Sequence, residues 1–150
     1  MTAAAASLVT LAAGAATSAG GLGSPAVAAP NDGTATGCGR TPMLASGTHS
    51  LQSRGMNRSY NLRVPDNYDS NHPYRLIFAF HWFGGTANDV SSGGTDGDPW
   101  AYYGLKQLSQ NSAILVAPDG LGRGWANAGD QDVTFVDDMI RQIEGSLCVD

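Results

Sequence analysis

Two short apolar runs constrain the fold of this chain more than any other feature of its sequence. They are RLIFAF at 75–80 and AILVA at 113–117. Neither run alternates apolar with polar residues, which is typical of strands that are covered on both faces in a parallel sheet. The runs therefore predict a parallel sheet with packed layers on each side.

A hairpin precedes the first run. Residues 59–64 alternate, with Tyr60, Leu62 and Val64 on one face, and residues 48–52 form a second short strand pattern. The turn between them is expected at 54–57.

Helices are predicted after each apolar run. Residues 84–99 read as a long polar loop, and 100–110 as a helix, with Gly104 as its weak point. After the second run, apolar residues step by three and four behind the candidate cap Asp132. These apolar residues are Val133, Val136, Ile140, Ile143 and Leu147.

The order hairpin, strand, helix, strand, helix predicts an α/β fold with right-handed crossovers. In such sheets the chemistry gathers in loops beyond the carboxyl ends of the strands. Two loops are expected there, HWFGG at 81–85 and PDG at 118–120.

The first 29 residues differ in composition from the rest. They carry no charge, since Asp32 is the first charged residue, and Ala26-Val27-Ala28 precedes Ala29-Pro30. This pattern predicts a secretory signal peptide over 1–29 and an extracellular protein, with 30–150 belonging to one domain. The leader has no Lys or Arg near its start, and a disordered leader of a cytosolic protein is the alternative.

Charge and residue spacing exclude several function classes. The net charge is −5 and no Lys/Arg cluster occurs, so the chain lacks the electrostatic footprint of a nucleic-acid binder. No stretch has the roughly 20 bulky apolar residues that a membrane helix needs. No metal-ligand spacing occurs, so no metal is expected.

Cys38 and Cys148 are the only cysteines, and in a secreted protein they are expected to be oxidised. A direct bridge between them is one possibility, and the loss of a separate partner by each is the other. Asn57-Arg58-Ser59 is the only N-x-S/T sequon, which makes Asn57 a candidate glycosylation site.

The HWFGG stretch is suited to aiming backbone N–H groups at one point, because glycine accepts positive φ and leaves room for an incoming group. Such N–H groups stabilise the oxyanion of acyl transfer. In α/β-hydrolases one oxyanion donor comes from the loop after the third strand, where an H-G-G-G-type sequence is frequent. His81 is then expected to orient the loop by hydrogen bonding. The alternative is an ordinary glycine-containing loop with a partly buried histidine.

A series of blocks in order resembles the N-terminal half of secreted fungal-type feruloyl esterases, a group similar to polyhydroxybutyrate-depolymerase-like and acetyl xylan esterases. The resemblance covers about residues 37 to 150. Its blocks are CG at 38–39, RSY at 58–60, VPDNYD at 64–69, PYRLIF at 73–78, HWFGG at 81–85, YYGL at 102–105, VAPDG at 116–120, GWAN at 124–127, DVTFVDD at 132–138 and LCVD at 147–150.

The resemblance implies an α/β-hydrolase fold and a Ser-His-Asp esterase without metal or cofactor, acting on feruloylated arabinoxylan. Phe83, or else Trp82, is expected to supply the oxyanion N–H. A pocket for the aromatic acyl group is expected around His81, Gly84, Gly85 and Trp125, although core packing is an alternative role for the rings.

The resemblance also implies a fragment. This chain contains no G-x-S-x-G, so it is interpreted as truncated before the nucleophile elbow and expected to be inactive alone. Cys148 is then expected to have lost a disulfide partner that lies beyond the end of this chain.

Two rival functions remain open. Within the enzyme class, the substrate is acetylated xylan or a polyester. In another class, the chain is a non-catalytic secreted carbohydrate-binding protein, with Trp82, Trp100 and Trp125 exposed on one face.

Overall fold

A computed structural model describes residues 35–150, and in them four strands form one mixed sheet. The strands are β1 (Gly47–Ser53), β2 (Met56–Arg63), β3 (Arg75–Phe78) and β4 (Ala113–Pro118), in the spatial order β1-β2-β4-β3. The two apolar runs pair in parallel as predicted, and β2 joins β4 antiparallel. The predicted leader at 1–29 lies outside the described residues.

Three helices and four short 3-10 segments complete the fold. The helices are α1 (Ala87–Ser92), α2 (Leu105–Leu108) and α3 (Gln131–Glu144). The 3-10 segments are Gly94–Asp96, Asp98–Trp100, Leu121–Arg123 and Ala128–Asp130. Among the helices of this part of the chain, none combines the length and apolar character that crossing a bilayer requires.

The hairpin is set by two residues with positive φ. Arg54 has φ 49° and Gly55 has φ 75°, and the register pairs Ser53 with Met56. Two central residues with positive φ give the type I′ turn, whose twist matches that of antiparallel strands. The strands are longer than the sequence predicts, and the turn is confined to two residues.

The sheet is packed on both faces, which explains why β4 does not alternate. Ile114 and Val116 face a cluster with Phe135 and Met139 of α3. Ala113, Leu115 and Ala117 face a second cluster with Val90, Ala101 and Tyr102. Every residue of β4 is buried.

The predicted helix over 100–110 is wrong in extent. Only Leu105–Leu108 is α-helical, because Tyr102, Tyr103 and Gly104 have φ of 53°, 57° and 81°, which interrupt a right-handed helix. The predicted loop at 84–99 instead contains α1. A capping box starts this helix: Thr86 accepts from the Asp89 N–H, and the Asp89 carboxylate accepts from the Thr86 N–H.

Helix α3 buries a row that only partly matches the one predicted, which shares Ile143 with it. Phe135, Met139 and Ile143, spaced by four, are fully buried, whereas Val133 is 54% exposed. Leu147 is buried but lies beyond the helix end. Asp132 lies within the first turn, and Asn127 caps the helix by accepting from the N–H groups of Asp132 and Val133.

Cys38 and Cys148 form a disulfide, which confirms the direct bridge, and the alternative, in which Cys148 had lost a separate partner, is wrong. The arm before β1 lies along the residues that follow α3. The Gly37 N–H donates to the Glu144 carbonyl, and the Ser146 hydroxyl accepts from the N–H groups of Met43 and Leu44. The bridge thus fastens two segments that already share hydrogen bonds.

Candidate active site at the strand ends

His81 connects the loop after β3 to the loop after β4. Its side chain is fully buried. The Gly120 N–H donates to Nε2 over 2.9 Å, so Nε2 is an acceptor, and Nδ1, 2.8 Å from the Trp82 carbonyl, carries the proton. Both ring nitrogens are therefore engaged by the backbone, and neither is free to take a proton from a substrate.

Trp125 also contacts His81. Its indole N–H donates to the His81 carbonyl over 2.9 Å. Its ring centroid lies 5.0 Å from that of Phe80, edge to face, and 5.0 Å from that of His81. Trp125 is consequently half-buried and fixed in orientation.

Trp82 and Phe83 project from the loop, with 56% and 88% of their surfaces exposed. Within residues 35–150, neither backbone N–H donates a hydrogen bond. The rings lie over glycines: a Cβ on Gly85 would approach the Trp82 ring to 3.0 Å, and one on Gly124 the Phe83 ring to 3.2 Å. The loop thus presents two unengaged donors beside two exposed aromatic rings.

The backbone N–H groups of the two loop glycines already donate hydrogen bonds within the protein. Gly84 has φ 85° and donates to the Arg123 carbonyl over 2.8 Å, and Gly85 donates to the Trp82 carbonyl over 2.9 Å. Gly84 is exposed, whereas Gly85 and His81 are buried, with Gly85 against the Trp82 ring. Of the four predicted pocket residues, Gly84 and Trp125 reach the surface.

The Asp119 side chain at the end of β4 reaches across to the loop after β3. Its Oδ1 accepts from the Ala87 N–H, the first of α1, over 2.9 Å. The same oxygen lies 3.8 Å from His81 Nε2. Asp119 therefore links the end of β4 to the far end of the HWFGG loop.

Arg58 is the main residue that the sequence reasoning missed. It is 2% exposed and lies on the face of β2 that also carries Tyr60 and Leu62. Its guanidinium donates to Asp132 Oδ1 over 2.9 Å and to the Asp119 carbonyl over 3.2 Å, and it lies 4.1 Å from the Phe135 ring centroid. The signal in the sequence was a charged residue at a position where the alternation of β2 predicts a buried side chain.

An apolar groove of about 360 Å³ opens beside Phe80 and Trp125. Val133 and Val136 of α3 form its other side, and Asn127 and Asp132 contribute to its lining. Phe80 is 40% exposed. The groove adjoins Trp125, whose indole N–H donates to the His81 carbonyl.

Trp100 lies in a different depression. It is 61% exposed, and with Tyr103 and Leu108 it lines a hollow of about 310 Å³. The Tyr103 hydroxyl donates to the Phe80 carbonyl over 2.5 Å. Within the described residues, no group of three or more His, Cys, Asp or Glu side chains is placed to bind a metal ion.

Comparison with known proteins shows strong similarity to fungal feruloyl esterases. The chain is 48% identical over 114 residues to the probable feruloyl esterase C of Aspergillus niger. It is 45% identical over 114 residues to feruloyl esterase C of Emericella nidulans, and 42% identical over 130 residues to feruloyl esterase D of Neurospora crassa. The resemblance inferred from the sequence blocks is confirmed.

These alignments cover 76%, 76% and 84% of this chain, but only 40%, 40% and 44% of the relatives. The chain thus spans about two fifths of the length of the curated relatives it matches. No protein-family profile matches it. A solved structure, the ferulic acid esterase of Anaeromyces mucronatus in complex with ferulic acid, aligns at 17% identity and a TM-score of 0.40, covering 56% of this chain and 31% of that one.

Proposed function

We propose that this chain is part of a secreted serine esterase with the α/β-hydrolase fold, which releases ferulic acid from plant cell-wall arabinoxylan. The observation that carries the proposal is the pair of unengaged N–H groups at Trp82 and Phe83, at the carboxyl end of β3. The similarity to feruloyl esterases over 114 residues supports the same activity.

The loop supplies the oxyanion donor. When a serine oxygen adds to the ester carbonyl carbon, the carbonyl oxygen becomes an oxyanion, and a preorganised N–H stabilises it at 2.7–3.1 Å. Phe83 is the preferred donor, and Trp82 the second. His81 keeps the loop in place, since its ring is bonded at both nitrogens.

The catalytic serine and its Asp and His partners are proposed to lie in sequence beyond these 150 residues, in which no G-x-S-x-G occurs. The 150-residue chain alone is then expected to hydrolyse no ester. Sequencing the transcript past the Asp150 codon tests this proposal, because it requires a downstream G-x-S-x-G. Ester hydrolysis by the purified 150-residue chain would contradict it.

The acyl group is proposed to contact the aromatic residues around the groove of Phe80 and Trp125. A flat phenolic ring gains from stacking and edge contacts with such side chains. An acetyl group or an aliphatic polyester unit would leave most of this aromatic surface unused. Feruloyl esters are therefore favoured over acetylated xylan and polyhydroxybutyrate.

The carbohydrate-binding alternative expects Trp82, Trp100 and Trp125 to be exposed together. Trp125 is instead half-buried and bonded to the His81 carbonyl, while Trp100 lines a separate hollow. That arrangement favours the esterase.

Secretion and glycosylation belong to the same proposal. A disulfide persists in oxidising compartments, which suits an extracellular protein with a leader at 1–29. Asn57 is exposed near the hairpin end of β2, where a glycan has room.

The oxyanion role is tested in the full-length esterase that carries this segment, with methyl ferulate as substrate. Phe83→Pro removes the N–H, and kcat is expected to fall about 10²- to 10³-fold. Phe83→Ala keeps the N–H and is the matched control, in which kcat is expected to stay within about threefold. A drop with Trp82→Pro alone would assign the donor to Trp82, and no drop with either proline would refute the oxyanion role of this loop.

A further inference from the structure

We propose that the Asp119 carboxylate is a positioning residue of this esterase site: it holds the distal end of the oxyanion loop and thereby fixes the N–H groups of Trp82 and Phe83. The inference rests on the proposed function, which it deepens by adding a residue that acts through the loop. Asp119 lies outside the loop itself.

The loop is held at both ends by adjacent residues. At its start, the Gly120 N–H donates to the His81 ring over 2.9 Å. At its end, Asp119 Oδ1 accepts from the Ala87 N–H over 2.9 Å. Between these anchors, the Gly84 N–H reaches the Arg123 carbonyl over 2.8 Å. All three contacts come from the segment 119–123, so the position of that segment determines the position of the donors.

Asp119 is itself fixed by β2. Its N–H donates to the Ser59 carbonyl over 3.0 Å, and its carbonyl accepts from the buried Arg58 guanidinium over 3.2 Å. The carboxylate is 42% exposed, so water solvates its charge and no cationic partner is required. Its task at Ala87 is to accept a hydrogen bond, which an amide oxygen also does.

The Ala87 N–H has no other acceptor among the described residues. It is the first N–H of α1, which the helix itself cannot pair, and Thr86 accepts from Asp89 instead. Ala87 is 6% exposed, so loss of the carboxylate leaves a nearly buried donor unpaired. The turn at 85–87 is then expected to move, and the loop donors with it.

Two substitutions separate this role from a general effect of charge. Asp119→Ala removes the acceptor, whereas Asp119→Asn keeps an oxygen acceptor and removes the charge. Asp137→Ala, at an exposed carboxylate of α3, is the matched control. The first measurement is amide hydrogen exchange over 82–89 in the 150-residue chain.

Asp119→Ala is expected to speed exchange over 82–89 about tenfold, and Asp119→Asn and Asp137→Ala to leave it within about threefold. Unchanged exchange in Asp119→Ala, or equal acceleration in Asp119→Asn, overturns the anchoring role.

Kinetics in the full-length esterase then test the link to catalysis. Per titrated active site, Asp119→Ala is expected to lower kcat on methyl ferulate about 10- to 100-fold with KM within about twofold, since an oxyanion donor acts on the transition state. Affinity for a trifluoromethyl ketone analogue should fall by the same factor as kcat/KM.

A wild-type kcat per active site in Asp119→Ala overturns the positioning role while leaving the proposed function intact. An unsubstituted full-length protein without esterase activity refutes the proposed function and the catalytic part of this inference, and the exchange result still decides whether Asp119 anchors the loop.

Discussion

At the scale of single residues, Arg58 shows how a charge is retained in the interior of this protein. Its side chain and that of Asp132 are 1% and 8% exposed, and their ion pair joins β2 to the first turn of α3. Arg63, five positions along the same strand, forms an exposed ion pair with Asp66 at the same 2.9 Å. Two ion pairs of equal length therefore differ mainly in their exposure to water.

Removal of one partner from the buried pair is expected to be costly. Arg58→Ala should lower the free energy of unfolding by about 3–5 kcal/mol, because Asp132 remains buried without its counter-charge. Arg63→Ala is the control, with an expected loss of at most about 1 kcal/mol. Urea denaturation of both variants measures the difference. Equal losses would show that burial of the pair has no energetic consequence.

Tyr60 gives the protein a specific sensitivity to alkaline pH. It is fully buried, its hydroxyl donates to Gln142 over 2.8 Å, and burial raises the pKa of Tyr60 to about 12. Because the pKa is higher in the folded than in the unfolded state, its stabilising contribution is complete below pH of about 10. That contribution is lost as the pH rises toward 12.

Tyr60→Phe should therefore reduce the fall in unfolding free energy between pH 10 and 12 without abolishing it, since burial also raises the pKa of Tyr102 to about 12. The same variant should cost about 1 kcal/mol at neutral pH through the lost hydrogen bond. Denaturant titrations at pH 8, 10 and 11.5 test this expectation. If the wild-type and variant curves ran parallel, Tyr60 would make no contribution to the alkaline loss.

At the scale of elements, the loop after β4 depends on a close backbone approach. Gly120 has φ −77°, which any residue accepts, but a Cβ there would lie 2.2 Å from the Gly124 carbonyl oxygen. Gly124 has an extended backbone, with φ −162°, and its Cβ would meet only the Phe83 ring, at 3.2 Å. The two glycines therefore differ in what an added methyl group must displace.

Gly120→Ala is expected to cost about 2–3 kcal/mol, because the backbone of the loop must shift. Gly124→Ala is the matched control, and its cost should stay below about 1 kcal/mol, since the exposed Phe83 ring can turn away. Thermal unfolding of both variants compares them. A larger loss for Gly124→Ala would mean that the Phe83 ring is held more firmly than the loop backbone.

Local sequence predicted the elements of this protein unevenly. The sheet was predictable, because β4 is buried on both faces and a short apolar run without alternation is typical of such a strand. The capping-box residues Thr86 and Asp89 were a sequence signal for α1, but the glycines on either side of this helix favoured a loop. The break at Tyr102 and Tyr103 carries no sequence signal, since tyrosine rarely adopts positive φ.

The candidate site was likewise predictable from the sequence only in part. His81, Trp82 and Phe83 could be singled out because they follow an apolar run at a strand end. The contacts of Asp119 and Arg58 could not, because they join residues 32 and 74 positions apart. Pairings of this kind depend on how the sheet brings the loops together, which residue patterns alone do not specify.

At the scale of the whole molecule, the Cys38–Cys148 disulfide closes nearly the entire described chain into one loop. The two cysteines are 110 positions apart. A covalent loop of this size restricts the unfolded chain and, in the chain-entropy account, contributes about 4–5 kcal/mol to folded stability.

Reduction should accordingly lower the free energy of unfolding by about that amount. Guanidinium titrations with and without dithiothreitol measure it, and Cys38→Ser/Cys148→Ser is the control in which the reductant has no effect. A reduced protein as stable as the oxidised one would show that the hydrogen bonds of the arm hold its position without the bridge.

The same bridge determines how the molecule would bear a mechanical load. A force applied at residues 35 and 150 would pass through the covalent link and bypass the sheet, the loops and the candidate site. The enclosed segment, up to about 380 Å long when fully extended, would carry no tension until the bond was reduced. In the secreted esterase proposed above, such shielding would keep the loop after β3 out of the line of tension.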